Sequence, residues 1–189
     1  TLTSGTTILD ALEAGFGDAA TVLHNPRGRF VGSGGETLRA DIGIAVVAEQ
    51  PYAEWLGDTA TPTLNARDAA SIRRLREQVD HLVVVLVSGR PLVLDADLLG
   101  LADAFVAAWL PGTEGQGVAD VLFGERDFVG RLPYTWPRTL AQLPLGGLEL
   151  PSEGCEAPLF PLGYGLSYAD AAAGVHWLGL AEVCGAGAL

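Results

Sequence analysis

Hydrophobic positions in this chain fall into blocks of two periods. Ile8, Leu9, Leu12 and Phe16 recur at helical spacing, which predicts a helix over Thr6 to Phe16 closed by Gly15 and Gly17. Thr21 to His24 predicts a short strand, and residues 25 to 41, with Pro26 and four glycines, predict a loop. Residues 42 to 48, Ile-Gly-Ile-Ala-Val-Val-Ala, are small and apolar throughout. Such a run predicts a strand buried on both faces, as in a parallel sheet. Glu49, Pro51, Gly57 and Pro62 make the stretch that follows a loop. Asn65 is the expected N-cap of a helix through Val79 that carries Ala69, Ile72 and Leu75. His81 to Val87 is the most apolar strand; Ser88-Gly-Arg-Pro91 ends it, and Leu92 to Leu94 is read as its resumption. A helical patch over Leu98 to Ala102, a strand over Ala104 to Leu110, a turn at 111 to 115 and a helix over Gly117 to Phe123 follow. Residues 124 to 168, rich in Gly, Pro and aromatics, predict an irregular wrap, and Val175 to Leu180 reads as an edge strand or as no element. Strands alternating with helices give an α/β fold: a mostly parallel sheet with helices on both faces, an α/β sandwich. In such sheets ligand sites gather in loops at the carboxyl ends of strands, which singles out the loop after residue 48.

Composition narrows the partners. The 189 residues suffice for one domain with a real core, and a mean hydropathy of +0.29 argues against disorder. No apolar run reaches the length of a membrane span. The net charge of −12 repels phosphate backbones and anionic lipid, so neither nucleic acid nor a membrane is an expected partner, and a neutral substrate fits. All 11 basic residues are Arg and the chain has no Met, from which a processed chain or a piece of a longer protein is expected. Cys155 and Cys184 are too few for a zinc site or a disulfide framework; one disulfide and two free thiols both remain open. No His, Cys and Asp cluster has metal spacing, and no cofactor is expected.

The loop after residue 48 holds three carboxylates, Glu49, Glu54 and Asp58, beside Tyr52 and Trp55. A carboxyl can act as a general acid near neutrality when burial or a like charge raises its pKa. Glu54 is the best candidate, being flanked by Ala53 and Trp55 with Asp58 four residues on; the competing reading is a solvated loop glutamate. Glu49 reads as a cap on strand-end amides and Asp58 as a turn residue. Trp55 is a candidate sugar-stacking platform, whereas Trp109, at a strand end, reads as core. Ser88 lacks the Gly-x-Ser-x-Gly context of a nucleophile, and His24, His81 and His176 are scattered. Gly112, Gly115 and Gly117 match a phosphate loop only loosely.

Several stretches, in order, resemble a known family. They are Gly5-Thr-Thr-Ile-Leu-Asp10, Glu49-Gln-Pro-Tyr-Ala-Glu54 with Gly57-Asp58, and Ser88-Gly-Arg-Pro91. Further on come Ala107 to Gly117, Asp120-Val-Leu-Phe-Gly124, Gly130-Arg-Leu-Pro-Tyr-Thr-Trp136 and Pro158 to Tyr168. The set resembles the C-terminal α/β-sandwich domain of glycoside hydrolase family 3, of exo-β-glucan glucohydrolase and β-glucosidase type. The resemblance implies that residues 1–168 form that domain, N-terminally incomplete and lacking its first strand, with 169–189 as an Ala/Gly-rich tail. It implies a division of labour: a (β/α)8 barrel domain carries an aspartate nucleophile, and this domain supplies the acid/base glutamate, here Glu54, over the barrel mouth. The implied reaction is retaining hydrolysis of a β-linked glucoside or oligosaccharide, which needs two carboxyl groups ~5–5.5 Å apart. Arg90 and Glu114 are expected to pair or to hold loops, and the family leans the location towards secreted or periplasmic. This chain holds no barrel, so it is expected to be inactive alone. Two other readings are a non-catalytic accessory or ligand-binding module of the same fold, and a flavodoxin-like domain unrelated to sugars.

Overall fold

The computed structural model describes residues 4–145 and 150–174. The expected tail strand at Val175 to Leu180 lies outside the described residues. Helix α1 spans Ile8–Phe16 and opens on a capping box: Thr7 Oγ1 accepts from the Asp10 amide, and the Asp10 side chain accepts from the Thr7 amide. Strand β1 spans Ala40–Ala48, helix α2 Ala66–Arg76, strand β2 Val79–Val87, helix α3 Ala96–Leu99, strand β3 Ala104–Trp109, helix α4 Gly115–Leu122 and helix α5 Tyr168–Ala172. As expected, Asn65 caps α2, its side chain accepting from the Asp68 amide. The helix stops at Arg76, three residues before the predicted end, because Val79 is taken into β2.

The three strands form one parallel sheet in the order β1-β2-β3, with Ala40 opposite Val79 and Ala48 opposite Val87. One face carries Ala45 and Val47 of β1 and Leu82, Val84 and Leu86 of β2. That face packs on Ile72 and Leu75 of α2, Leu98 and Leu99 of α3, and the buried Trp136. The other face packs Ile44 against Ala11, Leu12 and Ala119 of α1 and α4. Helices thus flank the sheet on both sides, as the alternation of strands and helices predicts. The expectation that β1 is buried on both faces needs correction: Ile42 and Val46 are 54% and 44% exposed. They share a face with Ile44 on an edge strand, and α1 and α4 cover only its middle.

Two further expectations fail for lack of a partner. Thr21 to His24 joins no ladder, and Val93 makes a single bridge, its amide donating to Pro62 O at 2.8 Å, rather than extending a strand. A strand needs a neighbour to satisfy its backbone groups, and local apolarity does not supply one. The predicted wrap does form. Residues 132–136 meet 160–164 antiparallel, with Leu132 N–H donating to Tyr164 O and Trp136 N–H to Phe160 O, both at 2.8 Å. The Trp136 indole N–H donates to Leu92 O at 2.8 Å, so the wrap is pinned to the segment just after β2. At the chain's beginning, Thr6 bridges Glu114, and a Cβ on Gly115 would lie 2.4 Å from the Thr7 carbonyl carbon. Only glycine permits that approach. Cys155 is disulfide-bonded, which resolves the choice left by the sequence; Cys184 lies outside the described residues.

At the amino end of the sheet, Asp103 accepts from the Leu82 amide at 2.7 Å and from Arg76 at 2.9 Å. The Leu82 hydrogen bond, seconded by Arg76, holds the Asp103 carboxyl below the usual carboxylate range. A depressed carboxyl stabilises the fold above its unfolded pKa and loses that contribution as pH falls through its folded value. Asp103→Asn should therefore lower the thermal midpoint at pH 7, by only about 1–2 °C because water screens the half-exposed carboxylate, with the gap to the parent closing below about pH 4 in a melting series.

Candidate active site

The register of β1 and β2 sets the site. The ladder runs one residue past β1, Glu49 N–H donating to Val87 O at 2.9 Å, so Glu49 leaves the sheet beside the segment that follows β2. Three residues beyond Val87, Arg90 reaches back. Its Nε and Nη2 lie 2.7 and 2.6 Å from Glu49 Oε1, and its Nη1 donates to Gly57 O at 2.7 Å. Its guanidinium carbon stands 4.5 Å from the centroid of the Tyr52 ring, a cation–π distance. The two charged side chains are largely withdrawn from water, 29% and 14% exposed for Arg90 and Glu49. Glu49 Oε2 is buried and accepts no hydrogen bond among the described residues, so the carboxylate's compensation comes through its other oxygen. Ser88 fixes the backbone of the arginine, its buried hydroxyl donating to Arg90 O at 2.8 Å. Burial, then the Glu49 charge, raise the Tyr52 phenol above its ordinary pKa, while Arg90 acts in the opposite sense.

Between these anchors the chain makes one tight turn. Gly57 N–H donates to Ala53 O at 3.0 Å and Asp58 N–H to Trp55 O at 3.1 Å. Trp55 has φ of 74°, in the left-handed region where a bulky side chain is rare. Glu54 stands exposed on this turn beside Trp55 and Leu56, which are 80% and 88% exposed. A Cβ on Gly57 would sit 2.1 Å from Tyr52 Cδ2, so the turn closes only because residue 57 has no side chain.

Glu54 and Trp55, the residues singled out by sequence, are thus neighbours on one exposed turn at the carboxyl end of β1. Asp58 is the turn residue expected. Glu49 is structural as expected, but it pairs with Arg90 rather than capping amides. Arg90 holds a loop as expected, through Glu49 and not Glu114. Trp109 packs on the core, its ring 6.1 Å from that of Trp136. The Arg90 contacts were the part missed, although a signal existed: a parallel pairing of these two strands places the residues just past their ends side by side. An open concavity of about 690 Å³, lined by Leu23, His24, Arg27, Phe30 and Arg74 among others, includes no residue of this loop. Glu54, Trp55 and Leu56 form the exposed part of the turn.

Residues 5–168 match the glycosyl hydrolase family 3 C-terminal domain. The lysosomal beta glucosidase of Dictyostelium discoideum is 34% identical over 131 residues, covering 68% of this chain and 16% of that protein. The periplasmic beta-glucosidase of Salmonella typhimurium is 34% identical over 149 residues, covering 69% of this chain and 19% of that protein. The chain thus spans less than a fifth of the length of either relative. Among solved structures, the beta-glucosidase of Listeria innocua superposes with a TM-score of 0.57 at 28% identity, over 68% of this chain and 20% of its own. That enzyme has also been solved with glucose and with gluconolactone. A β-glucosidase from Erythrobacter marinus shares the fold over 88% of this chain and 28% of its own, with a TM-score of 0.66 at 22% identity.

The packing of Tyr52 on Gly57 gives a direct check of the turn. Gly57→Ala should destabilise the chain by about 1–3 kcal/mol through overpacking. In a Tyr52→Ala background the same change should cost less than about 1 kcal/mol, as a double-mutant cycle by urea unfolding would register.

Proposed function

The chain belongs to glycosyl hydrolase family 3, in the C-terminal domain of that family, and on that premise we propose that it is the acid/base-bearing part of a retaining β-glucosidase. Glu54 is the acid/base, and the aspartate nucleophile belongs to a (β/α)8 barrel domain outside these 189 residues. The substrate is a β-linked glucoside or short oligosaccharide, a reading supported by the glucose and gluconolactone complexes of the Listeria innocua enzyme. The observation that carries the assignment is the presentation of Glu54 on an exposed turn whose neighbouring carboxylate, Glu49, is committed to Arg90. Of the three carboxylates in the loop, Glu49 is engaged by Arg90, and Asp58 follows the turn on which Glu54 itself sits.

In this mechanism the barrel carboxylate attacks the anomeric carbon. The bond to the leaving oxygen breaks with its electron pair going to that oxygen, and Glu54 delivers a proton there. Glu54, now a carboxylate, then takes a proton from water as the water opens the glycosyl ester, which restores both carboxyl groups. A general acid holds its proton through desolvation or a neighbouring negative charge. Here the barrel and the sugar provide that setting as they cover the turn. In this reading Trp55, beside Glu54, meets the same sugar or the barrel rim. Location outside the cytoplasm is supported by the disulfide at Cys155 and by the periplasmic relative.

The test is hydrolysis by the barrel-bearing enzyme. Glu54→Gln should lower kcat/KM on an alkyl β-glucoside, a poor leaving group, by about 10²–10⁴-fold, and lower it far less on a dinitrophenyl β-glucoside, whose leaving group needs no proton. Full retention of rate on the alkyl glucoside would exclude Glu54 as the acid. A parent enzyme without any hydrolysis would favour a non-catalytic module.

A further inference from the structure

The loop that carries Glu54 is attached to the body of the domain at few points. Among the described residues, the backbone hydrogen bonds donated by residues 50–58 are those of Gly57 and Asp58, and both end within the loop. Its start is held by Glu49 on β2. Beyond that, one side chain touches the loop at three places: Arg90 binds Glu49 at the entry, stands over Tyr52, and binds Gly57 O at the exit. Glu54 lies between the second and third of these contacts. The backbone at Arg90 is itself held: Ser88 binds its carbonyl, and Tyr52 stands against the neighbouring residue, its hydroxyl oxygen 2.8 Å from where a Cβ on Gly89 would lie.

We propose that Arg90 is a positioning residue for the general-acid step: by gathering Glu49, Tyr52 and Gly57 O around one guanidinium, it fixes the turn that places Glu54 at the glycosidic oxygen. The inference rests on the reading of Glu54 as the acid/base. Proton transfer demands heavy-atom separations near 3 Å, and a misplacement of 1 Å costs about 10²-fold in rate. A planar fork with several donors suits three partners in different directions; a lysine ammonium can keep the charge opposite Glu49 but cannot span to Gly57 O as well.

Two measurements test this. In the 189-residue chain, Arg90→Lys should speed amide exchange at Gly57 and Asp58 while leaving β1 and β2 protected as in the parent. Unchanged exchange at those two amides would overturn the proposal. In the barrel-bearing enzyme, Arg90→Ala should lower kcat/KM on the alkyl β-glucoside by about 10²-fold and on the dinitrophenyl β-glucoside by less than about threefold, with Arg90→Lys between parent and Ala. Should the Ala variant fail to fold, the Lys variant carries the comparison, with about a tenfold difference between the two substrates expected. A merely structural role would lower both substrates alike through loss of active enzyme. Equal losses, or none, alongside a steep leaving-group dependence in Glu54→Gln would overturn the role of Arg90 and leave Glu54 standing. A flat response in Glu54→Gln would instead remove the acid/base reading, and this inference with it.

Discussion

One ion pair connects the sheet to the exposed turn that bears Glu54. Glu49 and Arg90 emerge from adjacent parallel strands, and their register brings them together at the carboxyl end of the sheet. Both are mostly shielded from water, so neither charge is tolerable without the other; removing one partner of a buried pair costs roughly 3–5 kcal/mol. A hydrophobic pair of equal volume would stabilise the sheet end as well or better. It would not reach Gly57 O, nor give Tyr52 a cation to stack on. The charged pair is thus better explained by the loop it organises than by the stability it adds.

The surrounding architecture serves to make that sheet end firm. The main core lies on the face of the sheet formed by Ala45, Val47, Leu82, Val84 and Leu86, packed by α2 and α3. Trp136 brings the long wrap across this core and ties it to Leu92, two residues beyond Arg90. The segment that bears Arg90 is therefore fixed on both sides, by Ser88 before it and by the Trp136 indole after it. The opposite face, with α1 and α4 around Ile44, is smaller and leaves Ile42 and Val46 open.

Much of this was legible in the residues themselves. Helical spacing located α1, the Asn65 cap and apolar spacing located α2, and the apolar runs located the three strands, because each acts through local physics. The misplaced elements, Thr21 to His24 and Leu92 to Leu94, have suitable side chains but no neighbouring strand, and a strand's existence is decided across the sheet. The loop bearing Glu54 was visible from its prolines, glycines and acids. The Arg90 clamp was less so: parallel pairing of the strands hints at Glu49, 41 residues away, but nothing local points to Gly57 O, 33 residues away. Burial of β1 was overestimated because a run of small apolar residues does not reveal how far the covering helices extend.

The backbone of Trp55 carries a wider implication. A tryptophan at φ 74° on a surface turn is held in a conformation about 1–2 kcal/mol above a relaxed one, and its ring gains little from its immediate surroundings. A lineage selected for sturdiness alone would drift towards glycine or asparagine at this position. Directed evolution for heat tolerance would then be drawn to residue 55 early, and would erode whatever the indole does beyond the fold of this domain.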